Sequence, residues 1–386
     1  MNEQIKRILI LGAGFGGLTA ANILRKNLSN VHKITVIDKN KSFMMGLVNL
    51  WILYGTRKLQ DSFIPLANLL NKDIEFINDE IVGINFTQSS ISTKFSGKFD
   101  YDYLIISLGS DLAPEKIDGF IEHGGFNLYD AQQIPELRQK ILSLNKGKIA
   151  ICIADIPYKC PPAPYEASML IHDLLVKNGT RDQIDIDFYA PPVLALPVAG
   201  PDVSQRLVRL LNMNNINFHP LHKVKKVSND MIKFENGNNE KFDLLIVTPP
   251  HQMPTVIRKC EITKDWDWIR VDKFTLKTMY DNVFAIGDVT EIVLGGMVTI
   301  PKAGIFAEAQ AKVVAQEIID QITNTKTNSK FDGKGFCFME VGSNEAGYIE
   351  VDLYSEDPYT QLHPPSRESY RKKLEFEETR VKNWLF

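Results

Sequence analysis

The chain has 386 residues, 44% hydrophobic and 24% charged, with a formal net charge of -3. That length carries two domains or slightly more, and the near-balanced charge gives no case for nucleic acid as a partner, so none is expected. No apolar run reaches the roughly 18–20 residues of a bilayer span, and no signal-peptide pattern precedes the first strand, so residence on the cytoplasmic side is expected.

Residues 5–11 form an apolar run that reads as a buried parallel strand. GAGFGG follows at once, and LTAANILRK then puts Leu18, Ala21 and Leu24 on one helical face. HKITVID is a second strand ending in Asp38. Residues 74–105 read as short strands in a meander that closes on Gly109. A helix is expected over 130–144. A second α/β stretch follows: strand KIAICIADI, helix YEASMLIHDLLVKNG, strand QIDIDFYAP, helix SQRLVRLLNMNN, strand INFHPLHKV and strand KFDLLIVTPP. VFAIGDV and the helix IFAEAQAKVVAQEIIDQI come next. NTKTNSK (324–330) reads as a linker, and a small C-terminal segment starts near Phe331.

Gly12, Gly14 and Gly17 make G-x-G-x-x-G between a strand and a helix. The first glycine allows the tight turn, the second leaves room for a pyrophosphate, and the third lets helix and strand approach closely. Free N–H groups at the helix start then meet the phosphate charge. Asp38 stands near the spacing of a ribose-hydroxyl acceptor, and a carboxylate there disfavours a 2′-phosphate. The strand, turn, helix and strand together point to a dinucleotide site.

Of the four cysteines, Cys152 in IAICI reads as a buried hydrophobe and Cys260 has no distinguishing context. None has zinc-ligand spacing, so no metal site is expected. Cys160 stands in ADIPYKCPPAPYEAS, after the strand where a second glycine loop belongs in a two-nucleotide protein. That stretch has no glycine, and its prolines have no N–H to offer a phosphate. A dependence on NAD(P)H is therefore disfavoured. A helix beginning after Cys160 is expected to lower its thiol pKa. His172, His219 and His222 read as structural.

GAGFGG early, DYLIISLG in the middle and VFAIGDV late resemble the pattern of flavoproteins with two dinucleotide-binding domains. The resemblance implies an α/β fold of two Rossmann-like domains, of the FAD/NAD(P)-linked reductase type, with a small C-terminal segment. It implies an FAD-binding domain from 1–111 and 249–323, a second Rossmann-like domain at 112–248, and a C-terminal segment at 331–386. It implies that Gly12, Gly14, Gly17, Asp38, Gly109, Gly287, Asp288, Lys302 and Ala303 surround FAD. Asp288 also reads, more blandly, as a strand-end turn former.

CPPAPYE, LWILYGTR, TPPHQMPTVI, WIRVDKFTLKT, IPKAGIFAEAQA and GKGFCFMEVGSNEAGYIEVD are similar to the sulfide:quinone oxidoreductases and the flavoprotein subunit of flavocytochrome c sulfide dehydrogenases. That resemblance implies a redox pair of Cys160 and Cys337 beside the flavin, attacked by hydrosulfide to give a persulfide and a thiolate. Glu166 is then a candidate base, with a first-turn carboxylate as the plainer reading. Lys302 is expected over the flavin pyrimidine, where it stabilises the anionic reduced ring. The extra cysteine of many quinone-reducing members is missing from IEHGGFNLYDAQQ. The cysteine that attaches FAD in the dehydrogenase flavoprotein is replaced by Met44 and Met45, so FAD is expected to be non-covalent.

The expected partners are hydrosulfide and a membrane quinone. Cytochrome c as acceptor, NADH:quinone oxidoreduction and a non-catalytic thiol sensor remain as alternatives, and a homo-oligomer is left open. Ser366 is expected to cap a C-terminal helix. Tyr370, Leu374, Val381 and Leu385 make an apolar stripe on it. Arg371, Lys372, Lys373, Arg380 and Lys382 add charge, and Trp384 and Phe386 add aromatic rings. This helix either lies on an anionic membrane or packs back on the protein or a second subunit.

Overall fold

The computed structural model describes residues 4–295 and 298–384. Its main helices are α1 (Phe15–Asn27), α2 (Val48–Tyr54), α3 (Ile134–Ser143), α4 (Ala163–Asn178), α5 (Gly200–Met213), α6 (Gly304–Thr323) and α7 (Arg367–Trp384).

Two five-stranded parallel sheets organise the chain. In the first, Arg7–Leu11 is central, with Lys33–Asp38 and Glu75–Asn78 on one side and Tyr103–Ile106 and Val283–Ala285 on the other. Ile8 to Leu11 are all buried, as a strand covered on both faces requires. Leu18, Ala21 and Leu24 turn α1 onto that sheet, and α1 packs against α6. In the second sheet Gly147–Ile153 lies between Leu244–Thr248 and Ile184–Tyr189, with Phe126–Asn127 and Ile216–His219 at the edges. One face of each sheet feeds a shared apolar core, and their opposite faces are covered by two smaller separate clusters.

Three local features differ from the expected elements. Helix α3 starts at Ile134, because Asp130 takes the Gln133 side chain in a turn (3.0 Å) that ends before it. Helix α4 starts at Ala163, since Pro164 lacks an N–H only where the first turn does not use one. His363-Pro364-Pro365 does not break the chain but completes the strand Tyr359–Ser366. That strand is an edge of a third, antiparallel sheet with Lys334–Gly342 and Glu345–Asp352, and an edge strand tolerates prolines. The linker 324–330 is irregular, yet Asp320 ties it to α6 by accepting the Thr327 N–H (2.6 Å).

Ser366 caps α7, its Oγ accepting the Ser369 N–H (3.1 Å). The helix packs back on the protein, with its most buried face about one residue away from the expected stripe, whose Leu374 and Val381 still touch the core. Ser369, Lys373 and Trp384 are the buried residues, while Tyr370, Leu374 and Val381 are only partly covered. Leu385 and Phe386 lie outside the described residues. The basic residues do not form a cationic face either. Arg371, Lys372 and Lys382 pair with Glu375, Glu368 and Glu378 of the same helix. No described helix is long and apolar enough to cross a membrane.

Candidate active site

At the carboxyl ends of the first sheet's strands the glycine turn forms one end of a cavity of about 430 Å³. Gly12 has φ +94°, and a side chain there would meet the Ser107 carbonyl at 2.3 Å. A Cβ on Gly17 would lie 1.8 Å from the Gly12 oxygen, so this residue brings α1 against the strand. Gly14 borders the cavity and faces open space. Asp38 stands behind the turn, accepting the Ala13 N–H at 2.7 Å and the Asn40 N–H at 2.7 Å.

Helix α6 opens on the same cavity after Ala303, and neither α1 nor α6 has a side-chain cap at its start. The two starts touch, since a Cβ on Gly304 would meet the Phe15 ring at 2.7 Å. Gly109 and Gly287 add left-handed corners, with φ of +69° and +73°. The Gly287 N–H donates to the buried Gln310 side chain (2.7 Å), which leaves Asp288 on the wall. Burial raises the Asp288 carboxyl above its usual range. Two uncapped helix starts and an open glycine corner suit a pyrophosphate, and the long cavity beyond them suits an isoalloxazine ring. These residues fit FAD. Met44 and Met45 line the cavity, and neither is a thiolate.

The other end is built by the loop after Gly147–Ile153. Cys160 lines it with φ +50°, a conformation that a non-glycine residue holds only when its surroundings impose it. Three contacts impose it here. The Cys160 N–H donates to the Lys302 carbonyl (2.7 Å), Tyr129 donates its hydroxyl to the Lys159 carbonyl (2.7 Å), and Tyr158 donates to Pro161 (3.0 Å). Cys337 reaches the same wall from the strand Lys334–Gly342. Both are free thiols.

The expected low thiol pKa is corrected by the structure. Burial, with help from the Glu166 charge, pushes Cys160 up to about 12. The first amide of α4 is already engaged by the Cys160 carbonyl (Ala163 N–H, 2.9 Å). Cys337 is raised by burial and by its neighbour Cys160.

Glu166 is buried in the first turn of α4, where Lys373 of α7 donates to it. Lys373 also pairs with Glu340 at 2.8 Å, and Glu340 accepts the Trp51 indole N–H at 2.6 Å. Two carboxylates thus share one ammonium. Burial pushes Glu166 up to about 7, opposed by Lys373, and the pair of carboxylates raises Lys373. Phe376 continues this wall, and Trp384 packs behind it. Phe376 packs edge-on against Phe336 (5.8 Å), and Trp384 against Phe15 (5.5 Å) and Phe43 (5.6 Å). Arg380 anchors the helix on Glu308 of α6 at 2.8 Å.

Lys302 stands beside the cavity rather than among its lining residues. Its ammonium donates to the carbonyls of Asp288 (2.7 Å) and Thr290 (3.0 Å) and stands 3.4 Å from the centre of the Trp268 ring. Burial lowers it to about 8. It braces the turn that presents Asp288. The histidines are held in structural pairs, His219 with Asp187 (2.8 Å) and His172 with Arg181 (2.8 Å). Sequence reasoning missed Lys373 and Glu340. The only signal for Lys373 was its place four residues after Ser369, itself three after the cap.

The profile of the family described as "Pyridine nucleotide-disulphide oxidoreductase" matches residues 6–152 and 188–324. Cys160 and Cys337 both lie outside the matched residues. The mitochondrial sulfide:quinone oxidoreductase of Dictyostelium discoideum is 27% identical over 387 residues, covering 95% of this chain and 82% of its own length. The sulfide-quinone reductase of Aquifex aeolicus is 29% identical over 367 residues, covering 90% and 84%. An X-ray structure of the sulfide:quinone oxidoreductase from the hyperthermophilic bacterium Aquifex aeolicus superposes with a TM-score of 0.88 at 27% identity, covering 98% of this chain and 92% of that one.

Proposed function

Because the chain belongs to the pyridine nucleotide-disulphide oxidoreductase family, an FAD-binding group of oxidoreductases, we propose that it oxidises sulfide through Cys160 and Cys337 and passes the electrons to a quinone. One observation carries this reading: two cysteines remote in the chain line a single cavity that is also lined by Gly14 of the glycine turn and by Asp288. The sulfide:quinone oxidoreductases that span most of this chain support the substrates. Bound FAD supplies a two-electron acceptor between the thiols and the quinone.

The residues suggest a division of labour. In the oxidised enzyme Cys160 and Cys337 form a disulfide. Hydrosulfide attacks one sulfur, the S–S bond breaks, and the other cysteine leaves as a thiolate. Glu166, titrating near neutrality, accepts the proton that hydrosulfide gives up, and Lys373 balances the negative charge that accumulates. Gly12, Gly14, Gly17, Gly109, Gly287, Asp288 and Ala303 hold the cofactor, with Asp38 and Lys302 bracing the turns from behind. Phe336, Phe338 and Phe376 offer an apolar wall to the quinone ring.

The test is anaerobic mixing of the yellow enzyme with sulfide, followed by decylubiquinone or cytochrome c. Bleaching by sulfide and reoxidation by decylubiquinone are expected. A flavin that ignores sulfide and is bleached by NADH overturns the reading. Reoxidation by cytochrome c alone moves the acceptor and leaves the sulfide chemistry standing.

A further inference from the structure

Hydrosulfide presents an approaching enzyme with a negative charge and a single sulfur. The cavity wall near the thiols carries the carboxyls of Glu166 and Asp288, which repel such an ion. Three lysines stand at or beside this wall. Lys302 is engaged by two carbonyls and the Trp268 ring, and Lys373 by two glutamates. Lys159 differs. It lines the cavity next to Cys160, and its ammonium stands 5.9 Å from the centre of the Tyr129 ring. Its charge is felt by Asp288 on the same wall, but among the described residues no hydrogen bond or close ion pair holds the ammonium.

The backbone of Lys159 is fixed even though its charge is not, because its carbonyl accepts the Tyr129 hydroxyl at 2.7 Å. His251, edge-on to the same Tyr129 ring at 5.1 Å, donates through Nδ1 to the Pro249 carbonyl (2.9 Å). Its Nε2 has no partner, and burial pushes its pKa down to about 3, so it adds no second cation. The positive charge at this end of the cavity therefore belongs to Lys159.

We propose that Lys159 is an anion-selecting residue, whose unpaired ammonium draws small sulfur anions such as hydrosulfide and short polysulfides to Cys160 in preference to neutral thiols. The substrate named here rests on the sulfide reading above, whereas the preference for anions does not. Lys159 acts by positioning charge and takes no part in bond making.

Two measurements test it on the FAD-loaded, thiol-reduced protein. The first compares alkylation of Cys160 by anionic iodoacetate and neutral iodoacetamide, followed by mass spectrometry of the Cys160 peptide. Both reagents use the same thiolate, so their rate ratio reports the local charge alone. In Lys159→Gln the ratio of iodoacetate to iodoacetamide is expected to fall roughly 5- to 10-fold, and to lose its dependence on salt. Lys159→Arg restores it. The second is steady-state kinetics, in which Lys159→Gln raises the KM for sulfide by a similar factor while kcat is retained. An unchanged alkylation ratio in Lys159→Gln overturns the proposal, as does an Arg variant no better than Gln. If sulfide fails to bleach the wild-type flavin, the sulfide reading falls, and the alkylation ratio then decides the lysine by itself.

Discussion

The two parallel sheets each end a strand in a turn that feeds a helix, and the two turns solve opposite problems. After Arg7–Leu11 the turn is glycine, with Gly12 at φ +94°, and α1 starts with its amides uncapped. After Gly147–Ile153 the turn is proline-rich, with Cys160 at φ +50°, and α4 starts with its own carboxylate, Glu166. In the first the positive end of the helix dipole is left for an anion that must be bound. In the second an anionic side chain is built in, and Lys373 balances it. One place in the fold is a phosphate cradle in one half and a thiol mount in the other. The family profile stops at residue 152 and resumes at 188, on either side of the second turn.

Cys160→Gly makes the second turn resemble the first and gives the sharpest contrast. Sulfide-dependent flavin bleaching in stopped flow should fall by about 10⁴-fold, because the sulfur is gone. The melting temperature should not drop, since glycine adopts this φ without strain. Lys373→Met removes the counter-charge that the second helix start needs and strands two buried carboxylates. A loss of about 3–5 kcal/mol is expected in denaturant unfolding, whereas Lys373→Met combined with Glu166→Gln should recover part of it.

Gly17→Ala tests the first turn. The new Cβ would sit on the Gly12 carbonyl, and a loss of about 3 kcal/mol, with FAD lost on gel filtration, is expected. An alanine variant that purifies yellow and stable would show that the close approach is dispensable. The smallest effect is on pH. Burial raises Glu166 from 4.5 to about 7, so between those values the folded protein holds a proton that the unfolded chain has released. This group's contribution therefore makes stability fall as pH rises through that window. Thermal melts should show the decline in wild type and a flatter profile in Glu166→Gln.

Much of this was legible in the sequence because it depends on local chemistry. Gly12 and Gly17 are needed wherever backbone meets backbone, and the glycine-free CPPAPYE announces a turn unlike the first. The C-terminal helix was less legible. Its inward face runs through Ser369, Lys373, Phe376, Arg380 and Trp384, one residue out of phase with the apolar stripe of Tyr370, Leu374 and Val381. Hydropathy alone turns the helix about one residue out of place, because Lys373 and Arg380 point inward only where Glu166, Glu340 and Glu308 wait for them. Those partners lie on other elements, and Arg371-Lys372-Lys373 has nothing local to mark the third residue as buried. The partners of Lys302 were hidden for a similar reason, since the carbonyls and the ring that hold its ammonium come from tertiary packing.

Helix α7 also sets an order on biosynthesis. The residues of both large sheets leave the ribosome before Cys337, and Cys337 before Lys373. During translation, the Cys160 loop and the flavin cleft therefore spend an interval without their last wall. A nascent chain in that interval presents Glu166 without its cation and Cys160 before Cys337 has joined it on the cavity wall. Maturation of the cleft is thus a late event, governed by the docking of a single amphipathic segment.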